Sequence, residues 1–228
     1  MIVALFIALL SGSSEFARAQ IAPSAGELSA YRGLHAAAAR NDVAAIDRLA
    51  AGAPKAALDR RDGHGRTPLH VAAFERRREA IAALIRAGVD TGALDDDRYD
   101  AVTIAAVADD EETLHTLLAA GASARLVTSR YDGTALIAAA HLGHDGVVRQ
   151  LVAAGAPLDH VNNLRWTALI EAVVLGNGGM RHQSTVAALL KAGANTRLVD
   201  RDGKTALQLA RDRGYREMVA MLEAAGAR

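Results

Sequence analysis

The sequence predicts an all-α solenoid of about six stacked helix–turn–helix repeats. Three observations carry that prediction. A glycine that closes an apolar helix, within Ala-Ala-Gly or a close variant, recurs at Gly52, Gly88, Gly121, Gly155, Gly193 and Gly226, at intervals of 36, 33, 34, 38 and 33 residues. Helix openings recur with it, as Thr67-Pro68-Leu69, Asp100-Ala101-Val102, Thr134-Ala135-Leu136, Thr167-Ala168-Leu169 and Thr205-Ala206-Leu207. A pair of mostly small residues follows each opening at a fixed offset: Ala72-Ala73, Ala105-Ala106, Ala139-Ala140, Ala172-Val173 and Ala210-Arg211. A fixed period of this length marks stacked units that bury a shared core.

The clearest copy is Gly65-Arg66-Thr67-Pro68-Leu69-His70-Val71-Ala72-Ala73. Gly65 supplies a turn conformation that other residues resist. Thr67 is a good N-cap, and Pro68 follows at the first helical position, where a missing N–H costs nothing. Leu69, Ala72 and Ala73 share one helical face, and small alanines let neighbouring helices approach closely. A glycine after each Leu-rich helix suits a left-handed C-terminal cap.

Thr-Pro-Leu-His-x-Ala-Ala on this period resembles the ankyrin repeat, here of a bacterial, exported type. The resemblance covers roughly residues 34–228. It implies two antiparallel helices and a projecting finger per repeat. Two departures stand out: Asp100-Ala101 replaces Thr-Pro in repeat three, and repeat five carries 5 extra residues within 176–182.

Taken in order, residues 1–19 read as a signal peptide. Residues 2–10 are an unbroken apolar run too short to span a bilayer, and Ala17-Arg18-Ala19 offers a cleavage motif before Gln20. No Lys or Arg precedes the run, which fits a start placed too far downstream. Residues 20–33 hold Pro23, Ser24, Gly26 and Ser29 and read as a linker. Residues 34–228 are the repeat domain. Repeat one opens at Leu34 without Thr-Pro, as terminal repeats often do. Repeat six ends in Arg211, Asp212, Arg213, Arg216 and Glu217, which suit a cap facing water.

Lys plus Arg and Asp plus Glu number 26 each, for a formal net charge of +0. That balance argues against a nucleic-acid binder working by phosphate neutralisation. There is no cysteine, which excludes disulfides, thiolate metal sites and a cysteine nucleophile. Arg76-Arg77-Arg78 and Asp109-Asp110-Glu111-Glu112 fall in nearly the same register of adjacent repeats. They should lie side by side, either compensating each other or forming a polar docking edge. Asp95-Asp96-Asp97 lacks the alternating oxygens and glycine of a calcium loop and reads as a solvated turn. The loop of repeat five should project from the end of the stack opposite the fingers, either as a tolerated insertion or as a partner contact.

No enzyme motif survives inspection. Gly203-Lys204-Thr205 resembles the end of a phosphate loop, but the earlier glycine position is Leu198. His70, and His35 at the matching place in repeat one, take structural positions in the family pattern. His141 and His144 could share a helix face, yet no third metal ligand accompanies them. No cofactor or metal is expected.

In the ankyrin family the finger and the end of the first helix contact partners. Of the six aromatics after residue 19, four fall at those positions: Phe74, Tyr99, Tyr131 and Trp166. With Arg66 and His141 they form the expected contact strip on a concave face, aromatics and Arg being common interface anchors. The resemblance implies a non-catalytic adaptor for a protein partner. The signal peptide points to a periplasmic or secreted location, and the charge balance argues against nucleic acid. Without cysteine no lipoprotein anchor is expected, so no stable membrane anchor is expected after signal removal, and the mature chain is taken as a monomer. Two rivals use the same surface: an accessory or chaperone-like factor stabilising an exported enzyme, for instance in oxidative defence, and a secreted effector.

Overall fold

The computed structural model describes residues 20–228. The expected signal peptide, residues 1–19, lies outside them. Helix α1 (Ala25–Ala30) precedes six helix pairs. Repeat one is α2 (Gly33–Ala39) and α3 (Val43–Ala50), followed by a single turn, α4 (Lys55–Leu58). Repeats two and three are α5 (Pro68–Phe74) with α6 (Arg78–Arg86), and α7 (Ala101–Val107) with α8 (Glu111–Ala119). Repeat four opens on a short hairpin, β1 (Val127–Thr128) and β2 (Gly133–Thr134), pairing Val127 with Thr134 and Thr128 with Gly133. It continues as α9 (Ala135–Leu142) and α10 (Asp145–Ala153). Repeat five is α11 (Ala168–Val174) and α12 (Met180–Lys191), and repeat six is α13 (Ala206–Asp212) and α14 (Arg216–Ala224).

First helices pack on first helices along the stack, and second helices on second helices. Alanine makes this possible. Ala72, Ala106, Ala139, Ala172 and Ala210 are fully buried, and Leu69, Leu136, Leu169 and Leu207 complete the inner layer. Larger side chains such as Ile81, Leu84, Leu114, Leu117 and Leu151 fill the space towards the second helices. In the last copy Arg211 and Asp212 face water, as a terminal repeat requires.

The openings act as caps. The side chains of Asp100, Thr134, Thr167 and Thr205 accept from the backbone N–H three residues on. In repeat two the cap extends to the next repeat. His70 Nε2 donates to the Tyr99 carbonyl at 2.9 Å, so Nδ1 is left to accept from the Thr67 N–H at 3.1 Å. His35 Nε2 likewise donates to the Arg66 carbonyl at 3.0 Å. These histidines tie one repeat to the finger of the next, as the family pattern implied.

Two expectations change. The stretch 20–33 is not a free linker: Ser24 and Glu27 form a capping box on α1, and the segment docks on repeats one to three. The extra residues of repeat five lie partly in helix, since α12 has 12 residues against 9 in α10 and α14. The remaining loop is tied down, with Tyr215 Oη donating to the Gly176 carbonyl and Arg181 Nε to the Gly143 carbonyl. Met180 stands out from it, 82 % exposed.

The charge runs do meet. Arg76 lies 3.3 Å from Asp110, and Arg78 lies 2.5 Å from Glu112. Both pairs compensate charge; the Arg78–Glu112 pair is exposed and adds little stability, whereas Asp110 is buried. In Asp95-Asp96-Asp97 only the later two suit a solvated turn; Asp95 is buried at the base of its finger.

Two predictions follow from the packing. Ala72→Asp places an unpaired carboxylate in the inner layer and should cost several kcal/mol, on the order of 3–5 or more; a thermal melt that stays cooperative at the parent temperature would refute this placement. Burial holds the His70 imidazole down to about 4, from 6.5. The unfolded chain therefore takes up a proton below pH 6.5 that the folded chain refuses until about 4, so stability should fall as pH descends through that window. Denaturant midpoints of the parent and His70→Gln across the window check this: the variant should show the shallower pH slope.

Candidate functional site

The face made of fingers and first helices is built by one repeated device. At the base of each finger a side-chain oxygen accepts two backbone N–H groups, from the second and fourth residues beyond it. Asp62 holds His64 and Arg66, Asp95 holds Asp97 and Tyr99, and Ser129 holds Tyr131 and Gly133. Asn162 holds Leu164 and Trp166, and Asp200 holds Asp202 and Lys204. These short polar side chains favour such turns because they mimic a backbone acceptor. The residue at each tip is left-handed: Gly65, Arg98, Asp132, Arg165 and Gly203. Glycine is needed at Gly65, where a Cβ would overlap the Asp96 carboxylate and lie 2.9 Å from its backbone nitrogen.

Tyr99, Tyr131 and His141 come together as expected, around a cavity of about 50 Å3. Tyr99 is only 7 % exposed, and burial pushes its phenol up to about 12. It is therefore a wall and a core residue at once, rather than a free anchor. Tyr131 is half-buried, and His141 is buried at 8 % exposure. Trp166 stands apart. It is half-buried beside Val174, Leu175, Lys204 and Arg213, around a second, wider cavity of about 360 Å3 between repeats five and six. Phe74 packs, half-buried, against the core and joins neither cavity.

Arg66 is a correction. Its side chain is 1 % exposed and cannot meet a partner from this position. Nε donates to Asp62 Oδ2 at 2.7 Å, one terminal nitrogen donates to the Ile21 carbonyl at 2.9 Å, and the other pairs with Glu27. Tyr31 Oη donates to the same Asp62 oxygen at 2.6 Å. Hydrogen bonds from Ser24, with the Arg66 guanidinium assisting, hold the Glu27 carboxyl down at about 2. The segment expected as a linker has folded over this end of the strip. His144 does not join His141 at the cavity, since its Nδ1 donates to the Ala106 carbonyl at 2.9 Å.

One residue of the cavity was missed. Glu171 is 5 % exposed, with Oε1 accepting from Asn162 Nδ2 at 2.8 Å and Oε2 lying 3.3 Å from His141 Nδ1. A signal for it existed. The same place in the other copies holds Val71, Ile104, Ala138 and Leu209, so a glutamate there breaks an apolar column. Among the described residues no group of three or more His, Cys, Asp or Glu side chains is placed to hold a metal ion, and no helix is long and apolar enough to cross a membrane.

The family profile of ankyrin repeats, three copies, matches residues 5–95 and 102–195. The chain belongs to the ankyrin-repeat family. It is 36 % identical over 167 residues to the ankyrin repeat protein YahD of Escherichia coli (strain K12), covering 73 % of this chain and 83 % of that one. An ankyrin repeat domain from Acinetobacter baumannii AYE, solved by crystallography, is 46 % identical with a TM-score of 0.78, covering 86 % of this chain and 98 % of that one. The ankyrin repeat domain of Bcl-3, an IkappaB-family protein, is 30 % identical with a TM-score of 0.75, covering 87 % of each chain. Ankyrin-repeat domains generally serve as protein-interaction scaffolds without catalysis of their own.

The N-terminal clasp gives a test by magnitude. Arg66→Met should cost about 1–3 kcal/mol, because the Asp62 carboxylate loses a charged donor in a buried setting. It should also free the Leu28 amide, bonded to the Ser24 carbonyl, to exchange with solvent. Glu27→Gln alters a carboxylate that is 33 % exposed and should cost less than about 1 kcal/mol. Equal losses in the two variants would mean that Arg66 gains nothing from its burial beneath this segment.

Proposed function

We propose that this protein is a non-catalytic adaptor that holds a protein partner on the face of fingers and first helices, over repeats three to six. The observation that carries the reading is the pair of aromatic-walled cavities, one at Tyr99 and Tyr131 and one at Trp166, open on a face where the family binds proteins. Half-buried aromatics in neighbouring recesses are the usual anchors of a protein interface. The stack presents them on rigid helices, so little ordering entropy is lost on binding. Residues 20–32 of the protein lie over repeats one and two and reach Thr103 in repeat three, so the partner is placed on the later repeats. The composition of residues 1–19 supports a periplasmic or secreted location.

The test is a crosslinked pull-down from the periplasmic fraction, comparing the parent with a Tyr131→Ala, Trp166→Ala double variant that melts like the parent. Tyr99 is left intact because its removal would open the core. The parent should capture one predominant protein and the double variant should lose it by about tenfold or more. Equal capture by both would move the interface elsewhere, and the exposed Met180 loop would be the next surface to alter.

A further inference from the structure

The cavity between repeats three, four and five has an unusual floor for an alanine-rich stack: a carboxylate whose orientation is fixed. Asn162 Oδ1 accepts from the Leu164 and Trp166 N–H groups at 3.0 and 2.9 Å. That assignment leaves Nδ2 to donate to Glu171 Oε1. Glu171 is thus read as an acceptor at Oε1, and its Oε2 lies 3.3 Å from His141 Nδ1. Asn162 satisfies Oε1 without bringing a formal charge. A carboxylate buried in this way is costly, and a cation entering the cavity would offset the cost.

The size and walls narrow the choice. A cavity needs about 10–15 Å3 to hold one water, so about 50 Å3 admits roughly four groups of that size. A lysine end fits this count, with an ammonium and its last three methylenes. The rings of Tyr99 and Tyr131, with Val107 and Ile137, supply apolar walls for the stem and aromatic faces for the cation. An arginine fits less well. Its planar guanidinium is wider than an ammonium and works best face-on to both carboxylate oxygens, which a cavity of about 50 Å3 does not accommodate.

We propose that this cavity receives one lysine side chain of the partner protein, with its ammonium on Glu171 and its stem between Tyr99 and Tyr131. The proposal rests on the reading of this face as the partner-binding face, and it adds the chemistry that the partner must present: a projecting lysine, flanked by groups able to reach the Trp166 cavity.

The test is a methyl-detected NMR titration of the protein with N-acetyl-lysine N-methylamide, against its norleucine and arginine counterparts. The lysine probe should give saturable shifts at the Ile137 methyls and bind at least about tenfold tighter than the norleucine probe. Glu171→Gln keeps an acceptor for Asn162 and a polar contact to His141, so the fold should hold, yet lysine affinity should drop by about tenfold or more. Ala138→Leu fills the cavity from its lining, leaves the polar side chains themselves unchanged and should abolish the shifts. No saturable shift at Ile137, equal binding of norleucine, tighter binding of arginine, or parent-like affinity in both variants would each overturn the proposal. The two readings also separate. A failed titration beside a partner lost on Tyr131→Ala, Trp166→Ala removes the lysine and keeps the adaptor. Saturable lysine binding with no captured partner keeps the cavity as a lysine site and removes the adaptor.

Discussion

A side-chain oxygen at the base of each finger accepts two backbone N–H groups, and the rest of the face hangs on that arrangement. It closes the finger turn, sets the left-handed tip and delivers the next residue into the helix opening. Neighbouring fingers then bond to one another through their backbones: Asp96 N–H to the His64 carbonyl, Ser129 N–H to the Arg98 carbonyl, and Asn163 N–H to the Tyr131 carbonyl. The histidines of repeats one and two add a buried bond from each first helix to the next finger. A stack held this way is quasi-one-dimensional, since most contacts join neighbouring repeats and few, such as Arg181 to Asp109, skip one. The spacing of side chains along the face is therefore set by the repeat itself, which is what a rigid recognition surface needs.

The fold was legible because it depends on local chemistry repeated in register. Threonine caps, the alanine pairs and the closing glycines each act within a few residues, and their coincidence on one period left little freedom. What was not legible depended on partners far along the chain. Arg66 stands at a position that often faces a partner, yet it is buried by Ile21 and Glu27, 45 and 39 residues before it. No local rule places a guanidinium under a segment rich in Pro, Ser and Gly. Part of the clasp was nevertheless written locally, since Ser24-Ala25-Gly26-Glu27 carries the spacing of a capping box. Its composition suggested a linker, and the spacing was the better guide.

The site was half legible for a similar reason. Aromatics at finger and helix-end positions marked Tyr99, Tyr131 and Trp166, and the structure sets them around two cavities. Position alone did not say that Tyr99 is inside the core while Tyr131 is half out. Nor did a search for chemical motifs find Glu171, because a single glutamate matches none. Aligning the repeats on one another shows it, as a charge in a column that is otherwise apolar. In a repeat protein the informative comparison is internal, and a departure from the column is where function separates from architecture.

Asn162 joins these two levels. In the other fingers the anchoring residue is Asp62, Asp95, Ser129 or Asp200, any of which can accept the two backbone N–H groups. An aspartate at 162 would close the turn as well, but it would place a second carboxylate against Glu171, and a serine would be too short to reach it. Asparagine accepts on one atom and donates on the other. It can anchor the finger that carries Trp166 and orient the carboxylate of the neighbouring cavity at once. Gln20, the first described residue, reaches the edge of that cavity, where its side-chain amide donates to the Thr103 carbonyl and Thr103 itself forms part of the lining. Residues 20–32 thus cover the first repeats up to the edge of the cavity in which the repeat pattern is broken.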